Sequence, residues 1–256
     1  MSGRFHLFSP AGEQALARLL DRRALLAFDF DGTLAPIVAR PDDAQVPTAI
    51  ARRLAELGRR FPIAVITGRS IADARARLGF EPRYLLGNHG AEGLDWRPHG
   101  PGLDLLRARL APEAAALRAQ GVQLEDKGLS LALHYRLARD RAAARALIAR
   151  LLQELPAGLT SFGGKCVVNV VLRGAPDKGE AVRTLLQRSA CEALLFVGDD
   201  VNDEAVFRIA QPSWLTVRVG AEVPQSQAMF FLAAHGEMAL LLEKIQQMLN
   251  ARSARP

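Results

Sequence analysis

Two aspartates, Asp29 and Asp31, directly follow an apolar segment in the stretch LLAFDFDGTLAPI, residues 25–37. Side chains two residues apart on an extended segment point to the same side, so the two carboxylates are expected to converge where the strand ends. Like charges at close range repel each other. The spacing therefore predicts either a cation between the two carboxylates or one carboxyl group that carries a proton.

Three further polar segments flank apolar stretches elsewhere in the chain. TGRS begins at Thr67, Lys178 begins a helical pattern in APDKGE, and GDDVNDE contains three aspartates. In open α/β sheets, ligands bind beyond the carboxyl ends of the strands, so these segments are expected to meet in one crevice. The residues concerned are Asp29, Asp31, Thr67, Lys178, Asp199, Asp200 and Asp203.

The charge of this set predicts a metal ion. Five carboxylates cannot all be ionised in one crevice beside a single lysine without a further cation. Mg²⁺ prefers a few carboxylates, retained waters and a phosphate oxygen. Thr67 and the backbone amides beside Gly32 and Gly68 can bind further phosphate oxygens. One aspartate can attack a phosphoryl group, and another two residues later can handle the leaving-group proton. The pattern therefore predicts Mg²⁺-dependent phosphoryl transfer.

Apolar strand-like segments alternate with amphipathic helical patterns in the two terminal parts of the chain. The apolar segments are continuous, which is typical of parallel strands covered on both faces. The alternating order predicts a doubly wound, Rossmann-like α/β fold with a parallel sheet. The predicted strands cover residues 24–30, 63–69, 83–90, 193–200, 215–220 and 229–233. The predicted helices cover residues 12–23, 47–60, 70–79, 178–190 and 237–250.

The middle of the chain, residues 94–173, departs from this alternation. Residues 122–128, 129–136 and 165–173 have the pattern of antiparallel strands, and residues 103–120 and 139–155 that of two helices. The pattern predicts a small α+β domain inserted into the α/β domain. The predicted core domain therefore comprises residues 1–93 and 174–256.

Composition narrows the function class. No apolar run approaches the ~18 residues that span a bilayer, and the N-terminus lacks the apolar core of a signal peptide. The two cysteines, Cys166 and Cys191, make no disulfide framework. These features predict a cytoplasmic protein with no membrane partner, and we expect a monomer.

The net charge of +6 raises nucleic-acid binding as an alternative. The arginines are spread over amphipathic helices such as IARRLAELGRR rather than concentrated in one dense run. A mildly basic surface equally suits a phosphorylated small molecule. The expected partner is therefore a small-molecule substrate, without nucleic acid.

The polar segments resemble the four motifs of the haloacid dehalogenase superfamily: DFDGTL, ITGR, Lys178 and GDDVNDE. The resemblance implies a core of that fold with an inserted cap, a nucleophile at Asp29 and a general acid/base at Asp31. It implies Mg²⁺ on Asp29, the Asp31 carbonyl and Asp199. Asp200 and Asp203 are expected to support the metal directly or through water. Thr67, Gly68 and Arg69 are expected to bind phosphate.

Three longer stretches resemble the trehalose-6-phosphate phosphatases: LLGNHGAEG, LEDKGLSLALHYR and GKCVVNVVLRGAPDKGEAV. The resemblance extends over about residues 25 to 240. It implies hydrolysis of trehalose 6-phosphate through an aspartyl phosphate, as the last step of trehalose synthesis. The implied sugar-binding residues are Asn88, His89, Glu125, Lys127, Arg136 and Asn169.

Several points within the insertion stay open. Glu125 and Lys127 are expected to share one strand face as an acceptor and a donor for sugar hydroxyls, or to form an ordinary exposed ion pair. His134 is either a structural histidine or a ligand. Asn169 stands where the family usually has a glutamate, which leaves the identity of the sugar open. The alternatives are a phosphatase for sucrose phosphate or glucosylglycerol phosphate, a sugar phosphomutase, or a non-catalytic binding module.

Overall fold

The computed structural model describes residues 5–220 and 225–253. The chain divides into two compact units. One, here called the core unit, consists of Met1–Gly93 and Asp177–Pro256, and the other, the insert unit, consists of Leu94–Pro176. In the described parts of the chain, no helix has the length and apolar character needed to cross a membrane.

The secondary structure alternates between strands and helices in the core unit and is mixed in the insert unit. The strands are β1 (Phe5–His6), β2 (Ala24–Phe28), β3 (Ile63–Ile66), β4 (Tyr84–Leu86), β5 (Gln123–Asp126), β6 (Ser130–His134), β7 (Leu159–Gly164), β8 (Val167–Leu172), β9 (Ala193–Gly198), β10 (Trp214–Val219) and β11 (Phe230–Leu232). The helices are α1 (Pro10–Leu20), α2 (Thr48–Leu57), α3 (Ile71–Leu78), α4 (Gly102–Leu110), α5 (Ala114–Ala119), α6 (Arg141–Leu151), α7 (Lys178–Ser189), α8 (Glu204–Phe207) and α9 (Glu237–Ser253).

A seven-stranded parallel sheet forms the centre of the core unit, in the order β1-β11-β10-β9-β2-β3-β4. Every residue of β2 and β9 is buried, because helices cover both faces of a doubly wound sheet. The chain runs from β2 towards β4 on one side and from β9 towards β11 on the other. The strand order thus reverses between β2 and β9, and ligands of such folds bind at this switch point.

The insert unit contains a four-stranded antiparallel sheet in the order β5-β6-β8-β7. Leu131 and Leu133 of β6 pack with Val170 and Leu172 of β8 against residues of α4 and α6 in one hydrophobic core. Because side chains alternate along a strand, the residues between them point to the opposite face of this sheet.

The predicted fold class, a parallel α/β core with a small antiparallel insertion, is confirmed by this architecture. The single helix predicted over residues 103–120 is wrong. A 3₁₀ turn at Ala111–Glu113 separates α4 from α5, since Pro112 has no amide hydrogen to donate to the helix, although Ala111 before it keeps α backbone angles. The sequence analysis also missed β7, whose serine and glycines have weak strand propensity and whose position depends on pairing with β8.

Candidate active site

Three buried aspartates converge at the switch point between β2 and β9. Asp29 follows β2, and its backbone N–H donates to the carbonyl oxygen of Val197 in β9 at 2.9 Å. Asp199 follows β9, and Asp203 lies in the short turn before α8. Carboxylate oxygens of Asp29, Asp199 and Asp203 lie within 4.8 Å of one another. This group excludes the side chains of Asp31 and Asp200 among the residues that the structure describes.

Lys178 is the cation that joins two of these carboxylates. Its Nζ lies 2.7 Å from Asp29 Oδ1 and 2.7 Å from Asp203 Oδ1, and its side chain is 3% exposed. A capping box fixes the start of α7: the Asp177 carboxylate accepts from the Glu180 N–H at 2.9 Å, and the Glu180 carboxylate accepts from the Asp177 N–H at 3.1 Å. The helix start therefore determines where the ammonium group lies.

Asp203 also stabilises the acidic turn. Its second oxygen, Oδ2, accepts from the backbone N–H of Asp200 at 2.8 Å, and its side chain is completely buried. The carboxylate of Asp203 thus holds both the turn and Lys178. Asp200 takes part in the turn through its backbone.

Two glycines allow the carboxylates to come this close. Gly32 has a φ of +82°, and a Cβ on it would lie 2.1 Å from Asp199 Oδ2. A Cβ on Gly198 would lie 2.3 Å from the Asp203 carboxyl carbon. Any side chain at either position would displace a carboxylate, so the glycines of DFDGT and GDD create the space in which the acids converge.

The electrostatics of the cluster point to a missing positive charge. Burial raises the pKa of Asp29 well above its ordinary value, the charges of Asp203 and Asp199 raise it further, and Lys178 opposes them. Burial would lower the pKa of Lys178, but the charges and hydrogen bonds of Asp203 and Asp29 outweigh it and raise that pKa. Three carboxylates beside one ammonium group leave excess negative charge, which a divalent cation with oxygen ligands would neutralise. The residues present therefore fit such a cation.

The carboxylate of Asp31 is held by Arg69. The guanidinium donates from Nε to Asp31 Oδ2 at 2.9 Å and from Nη2 to Asp31 Oδ1 at 2.8 Å. It also donates to Asp73 Oδ2 at 2.6 Å and to the Pro41 carbonyl at 2.8 Å, and it lies 5.0 Å from the centre of the Phe30 ring. Burial would lower the pKa of Arg69, but the bonds to both carboxylates raise it. Arg69 therefore orients Asp31, while direct phosphate binding by Arg69 stays a prediction.

The turns after β3 and β4 lie against each other. Thr67 is fully buried, and its Oγ1 accepts from the backbone N–H of Arg69 at 3.1 Å. The backbone N–H of His89 donates to the Thr67 carbonyl at 2.8 Å, and a Cβ on Gly68 would lie 2.5 Å from the His89 ring. Asn88 is buried, and its amide donates to Glu92 Oε2 at 2.8 Å. Both Asn88 and His89 have left-handed φ angles, 49° and 61°.

Glu125 lies on the face of the insert sheet that points away from α4 and α6. Its Oε2 is 2.7 Å from His134 Nε2 and 3.6 Å from Lys127 Nζ. Lys127 follows the last residue of β5, and its side chain is only 8% exposed, so the pair is not a solvent-exposed one. Cross-strand register aligns Glu125 with Ala132 and Ala132 with Asn169.

Two further residues of the insert unit, Arg136 and Asn169, were predicted to bind sugar. Arg136 lies just beyond β6. Its guanidinium donates to the Lys165 carbonyl at 3.1 Å. Asn169 on β8 is buried, with 4% of its surface exposed. Glu125, Lys127 and Asn169 thus lie on or beside one face of the insert sheet, and Arg136 lies beyond the end of β6, a central strand of that sheet.

A family model described as Trehalose-phosphatase matches residues 27–97 and 111–231, which is well over half of the chain. The chain belongs to the trehalose-phosphatase family. Both matched segments contain residues of the acidic cluster, and the second also contains Glu125, Lys127 and Asn169.

This trehalose-phosphatase family member covers most of the length of one curated relative and little more than half of another. A Sinorhizobium fredii protein named "Probable trehalose-phosphate phosphatase" is 35% identical over 225 residues, which cover 84% of this chain and 84% of that protein. A Mycobacterium marinum trehalose-phosphate phosphatase is 31% identical over 229 residues, which cover 82% of this chain but only 58% of the longer relative.

Solved structures with the same fold include two fungal members. The C-terminal domain of Candida albicans trehalose-6-phosphate phosphatase has a TM-score of 0.76 and 21% identity, covering 97% of this chain and 98% of that one. Aspergillus fumigatus trehalose-6-phosphate phosphatase has a TM-score of 0.61 and 26% identity, covering 97% and 100%. At 21% identity, the Candida likeness shows the fold alone.

One buried residue of this trehalose-phosphatase family member escaped the sequence analysis. Arg218 of β10 is 6% exposed and donates from Nη2 to the Asp199 carbonyl at 2.9 Å. Its Nη1 donates to Glu204 Oε1 at 3.0 Å. The only signal in the sequence was one arginine inside the apolar stretch LTVRVG, since a buried charge requires a partner.

Proposed function

We propose that this protein hydrolyses trehalose 6-phosphate to trehalose and phosphate, as the last step of trehalose synthesis. The observation that supports it most is the buried convergence of Asp29, Asp199 and Asp203 around Lys178. This cluster suits attack on a phosphoryl group, and the named relatives support trehalose phosphate as the substrate. We also propose that residues 1–93 and 174–256 form the catalytic domain and residues 94–173 the substrate-selecting cap.

The proposed metal is Mg²⁺, held by Asp29, Asp199 and the Asp31 carbonyl, with Asp203 and Asp200 supporting it. When bound, Mg²⁺ would offset the negative charge of the carboxylates and of the phosphate group. Lys178, whose Nζ lies 2.7 Å from Asp29 Oδ1, would neutralise part of the same charge. Thr67 and the amides of Gly68 and Gly32 are proposed to bind the other phosphate oxygens.

Asp29 is proposed to act as the nucleophile. Lys178 holds Oδ1, which fixes the rotation of the carboxylate and leaves Oδ2 to attack phosphorus. A bond forms from Oδ2 to phosphorus, the bond from phosphorus to the sugar oxygen breaks, and the departing oxygen takes a proton from Asp31. In the second half, Asp31 accepts a proton from a water molecule that attacks phosphorus. The acyl phosphate bond then breaks, releasing phosphate and restoring Asp29.

Arg69 is proposed to orient Asp31 for these two proton transfers. The bidentate pair fixes the plane of the Asp31 carboxylate, but both of its oxygens accept from Arg69. Proton transfer to the leaving group therefore requires one of these two hydrogen bonds to lengthen. The second anchor of Arg69 on Asp73 keeps the guanidinium in place while Asp31 moves.

Sugar selection is proposed to depend on the insert residues Glu125, Lys127, Arg136 and Asn169. The carboxylate and the ammonium group offer an acceptor and donors to hydroxyl groups, and the amide of Asn169 offers both. Ala132, between Glu125 and Asn169 in the register, is small and leaves room between these polar groups. His134 orients Glu125 through the 2.7 Å contact.

Three further expectations stay predictions: that Asn88 and His89 contact the sugar, that the protein is a monomer, and that it is cytoplasmic.

Phosphate release from a panel of substrates tests the proposed function. The panel contains trehalose 6-phosphate, sucrose 6-phosphate, glucosylglycerol phosphate and an aryl phosphate, each with Mg²⁺ and with a chelator. We expect trehalose 6-phosphate to have the highest kcat/KM by about tenfold or more, because remote sugar contacts align the ester, and we expect Mg²⁺ to restore activity after chelation. A higher kcat/KM for another glycosyl phosphate would keep the reaction class but reject trehalose 6-phosphate. A phosphomutase would instead return an isomerised sugar phosphate.

Glu125→Ala and Lys127→Ala are each expected to lower kcat/KM for trehalose 6-phosphate by roughly tenfold or more, about 1.4 kcal/mol. Both should keep most activity on the aryl phosphate, which is too small to require the insert residues. Asn169→Glu should keep or improve use of trehalose 6-phosphate. The measurement is the ratio of the two kcat/KM values in each variant.

Asp126→Ala is the matched control for this prediction. Asp126 is the neighbouring carboxylate on the same strand, and it pairs with Arg107 at 2.7 Å instead of with His134 or Lys127. We expect this variant to leave the ratio unchanged. If Glu125→Ala lowers both activities equally, Glu125 supports the fold rather than binding sugar.

A further inference from the structure

Arg218 contacts the acidic turn 199–204 from the side of the neighbouring strand β10. It donates to the Asp199 carbonyl at 2.9 Å and to Glu204 Oε1 at 3.0 Å, with a longer contact of 3.4 Å to the Asp200 carbonyl. One rigid guanidinium therefore holds both ends of the turn that carries Asp199 and Asp203. The N–H groups of a planar guanidinium donate in several fixed directions, which the freely rotating ammonium group of a lysine cannot do.

The backbone bonds matter because Asp199 and Asp203 repel each other. Their side chains converge only if the backbone between them is held, and Asp203 itself is committed to the Asp200 N–H and Lys178. The Asp199 carbonyl group and the Asp199 side chain are attached to the same Cα atom. Fixing that carbonyl therefore limits rotation of the backbone that aims the carboxylate into the cluster.

The charge of Arg218 does not oppose a cation, because Glu204 neutralises it. The two side chains are only 7% and 14% exposed, so the pair is largely shielded from water. The second oxygen of Glu204 accepts from the Gln227 N–H at 2.8 Å, which keeps the carboxylate in position. The pair thus supplies hydrogen-bond donors to the turn while adding no net charge beside the three aspartates.

We propose that Arg218, paired with Glu204, is a positioning residue for the divalent-cation site. It holds the turn 199–204 so that Asp199 and Asp203 present their oxygens to the same point as Asp29. This proposal rests on the divalent cation of the proposed function. It does not depend on which sugar phosphate is hydrolysed.

The test is Mg²⁺ binding by titration calorimetry on the full chain without substrate. Loss of a residue that orients a metal ligand lowers metal affinity by about 10- to 100-fold. We therefore expect Arg218→Gln to raise the Mg²⁺ dissociation constant by about tenfold or more. The Mg²⁺ concentration for half-maximal hydrolysis of an aryl phosphate should rise in parallel, while activity at saturating Mg²⁺ changes less.

Arg53→Gln is the matched control. Arg53 is another largely buried arginine of the core unit, and it donates to Glu243 at 2.9 Å and to Gln246 at 2.6 Å in the contact between α2 and α9. This variant should keep the Mg²⁺ affinity of the parent. The proposal is overturned if folded Arg218→Gln binds Mg²⁺ as the parent does, if Arg53→Gln loses as much affinity, or if the parent binds no Mg²⁺.

Glu204→Gln provides a second variant with a milder structural change. It keeps the side-chain shape but leaves the charge of Arg218 without its carboxylate, next to the cation site. We expect Mg²⁺ affinity to fall several-fold, and parent-like affinity in this variant would overturn the role of the pair. Because calorimetry needs no substrate, failure to hydrolyse trehalose 6-phosphate would reject the proposed substrate and leave this result standing.

Discussion

Asp29→Asn is expected to lower turnover by about four orders of magnitude or more, the range seen when a covalent nucleophile is removed. The asparagine amide has the same shape as the carboxylate, and its oxygen can still accept from Lys178. It carries no negative charge and does not form an acyl phosphate. Phosphate release from trehalose 6-phosphate and from an aryl phosphate should fall together, because the change affects the chemical step for every ester.

The free energy of unfolding distinguishes loss of the nucleophile in Asp29→Asn from damage to the fold. Burial and the charges of Asp203 and Asp199 raise the pKa of Asp29 although Lys178 opposes them, so ionising this carboxyl group costs more free energy in the metal-free folded protein than in the unfolded chain. The neutral amide removes that penalty. The free energy of unfolding without metal should therefore not decrease in Asp29→Asn, even though the variant is inactive.

The measurement combines turnover with denaturant unfolding in a chelator. Asp21→Asn is the control, since Asp21 is 67% exposed and its ion partner, Arg252 at 3.0 Å, is not part of the cluster. It should change neither quantity appreciably. Turnover of Asp29→Asn within tenfold of the parent would rule out Asp29 as the nucleophile.

The parallel sheet and the acidic cluster could be predicted because both depend on short-range patterns. Continuous apolar runs such as residues 24–28 indicate buried parallel strands, and the polar residue that follows such a run lies at the carboxyl end of the sheet. Parallel strands align these ends, so Asp29 and Asp199 must be close once β2 and β9 are neighbours. The sequence order of the motifs was enough for that inference.

The partners of the predicted residues could not be predicted, because they depend on side-chain directions and on register. Asp31 was expected to converge with Asp29, but its carboxylate binds Arg69, whereas Asp203 from a distant turn joins Asp29 through Lys178. The spacing rule holds for a regular strand, and β2 ends at Phe28, before either aspartate. The chain therefore turns at the point where the rule was applied.

In the insert unit as well, contacts that depend on strand register could not be predicted from the sequence. A shared side for Glu125 and Lys127 follows from alternation, but the contact with His134 follows from the pairing of Gln123 with His134. A shift of that pairing by one residue would place His134 on the other face. Antiparallel register is set by the whole hairpin, so no short stretch of sequence contains it.

Two buried arginines outside the predicted charge count explain how the core unit arranges so many carboxylates. Arg69 binds Asp31 and Asp73, and Arg218 binds Glu204 and the backbone of Asp199. Each arginine is paired with carboxylates of its own, so neither neutralises the cluster around Asp29. The cation deficit inferred from the sequence therefore persists in the folded protein.

Lys178→Ala is expected to reduce turnover by about three orders of magnitude and also to destabilise the metal-free protein. The substitution removes two 2.7 Å contacts and leaves Asp29 and Asp203 buried without their cation. Removing one partner of a buried ion pair typically destabilises by about 3–5 kcal/mol, because the remaining charge is uncompensated. The raised pKa of Lys178 keeps the ammonium group charged throughout the neutral range, so this contribution is fully present under assay conditions.

Added Mg²⁺ and the shape of the replacing side chain decide how much stability and turnover the Lys178 variants recover. Mg²⁺ should restore part of the lost stability of Lys178→Ala, because it supplies positive charge to the same carboxylates, but it should not restore turnover. Lys178→Arg should rescue poorly, since a planar guanidinium does not fit the position of one compact ammonium group between two carboxylates.

Lys244→Ala is the control, because its ion pair with Glu13 is 32% and 38% exposed and pairs of that kind contribute at most about 1 kcal/mol. Turnover of Lys178→Ala close to that of the parent, measured with Mg²⁺ at a temperature where both proteins are folded, would place Lys178 outside the reaction and leave it a purely structural cation.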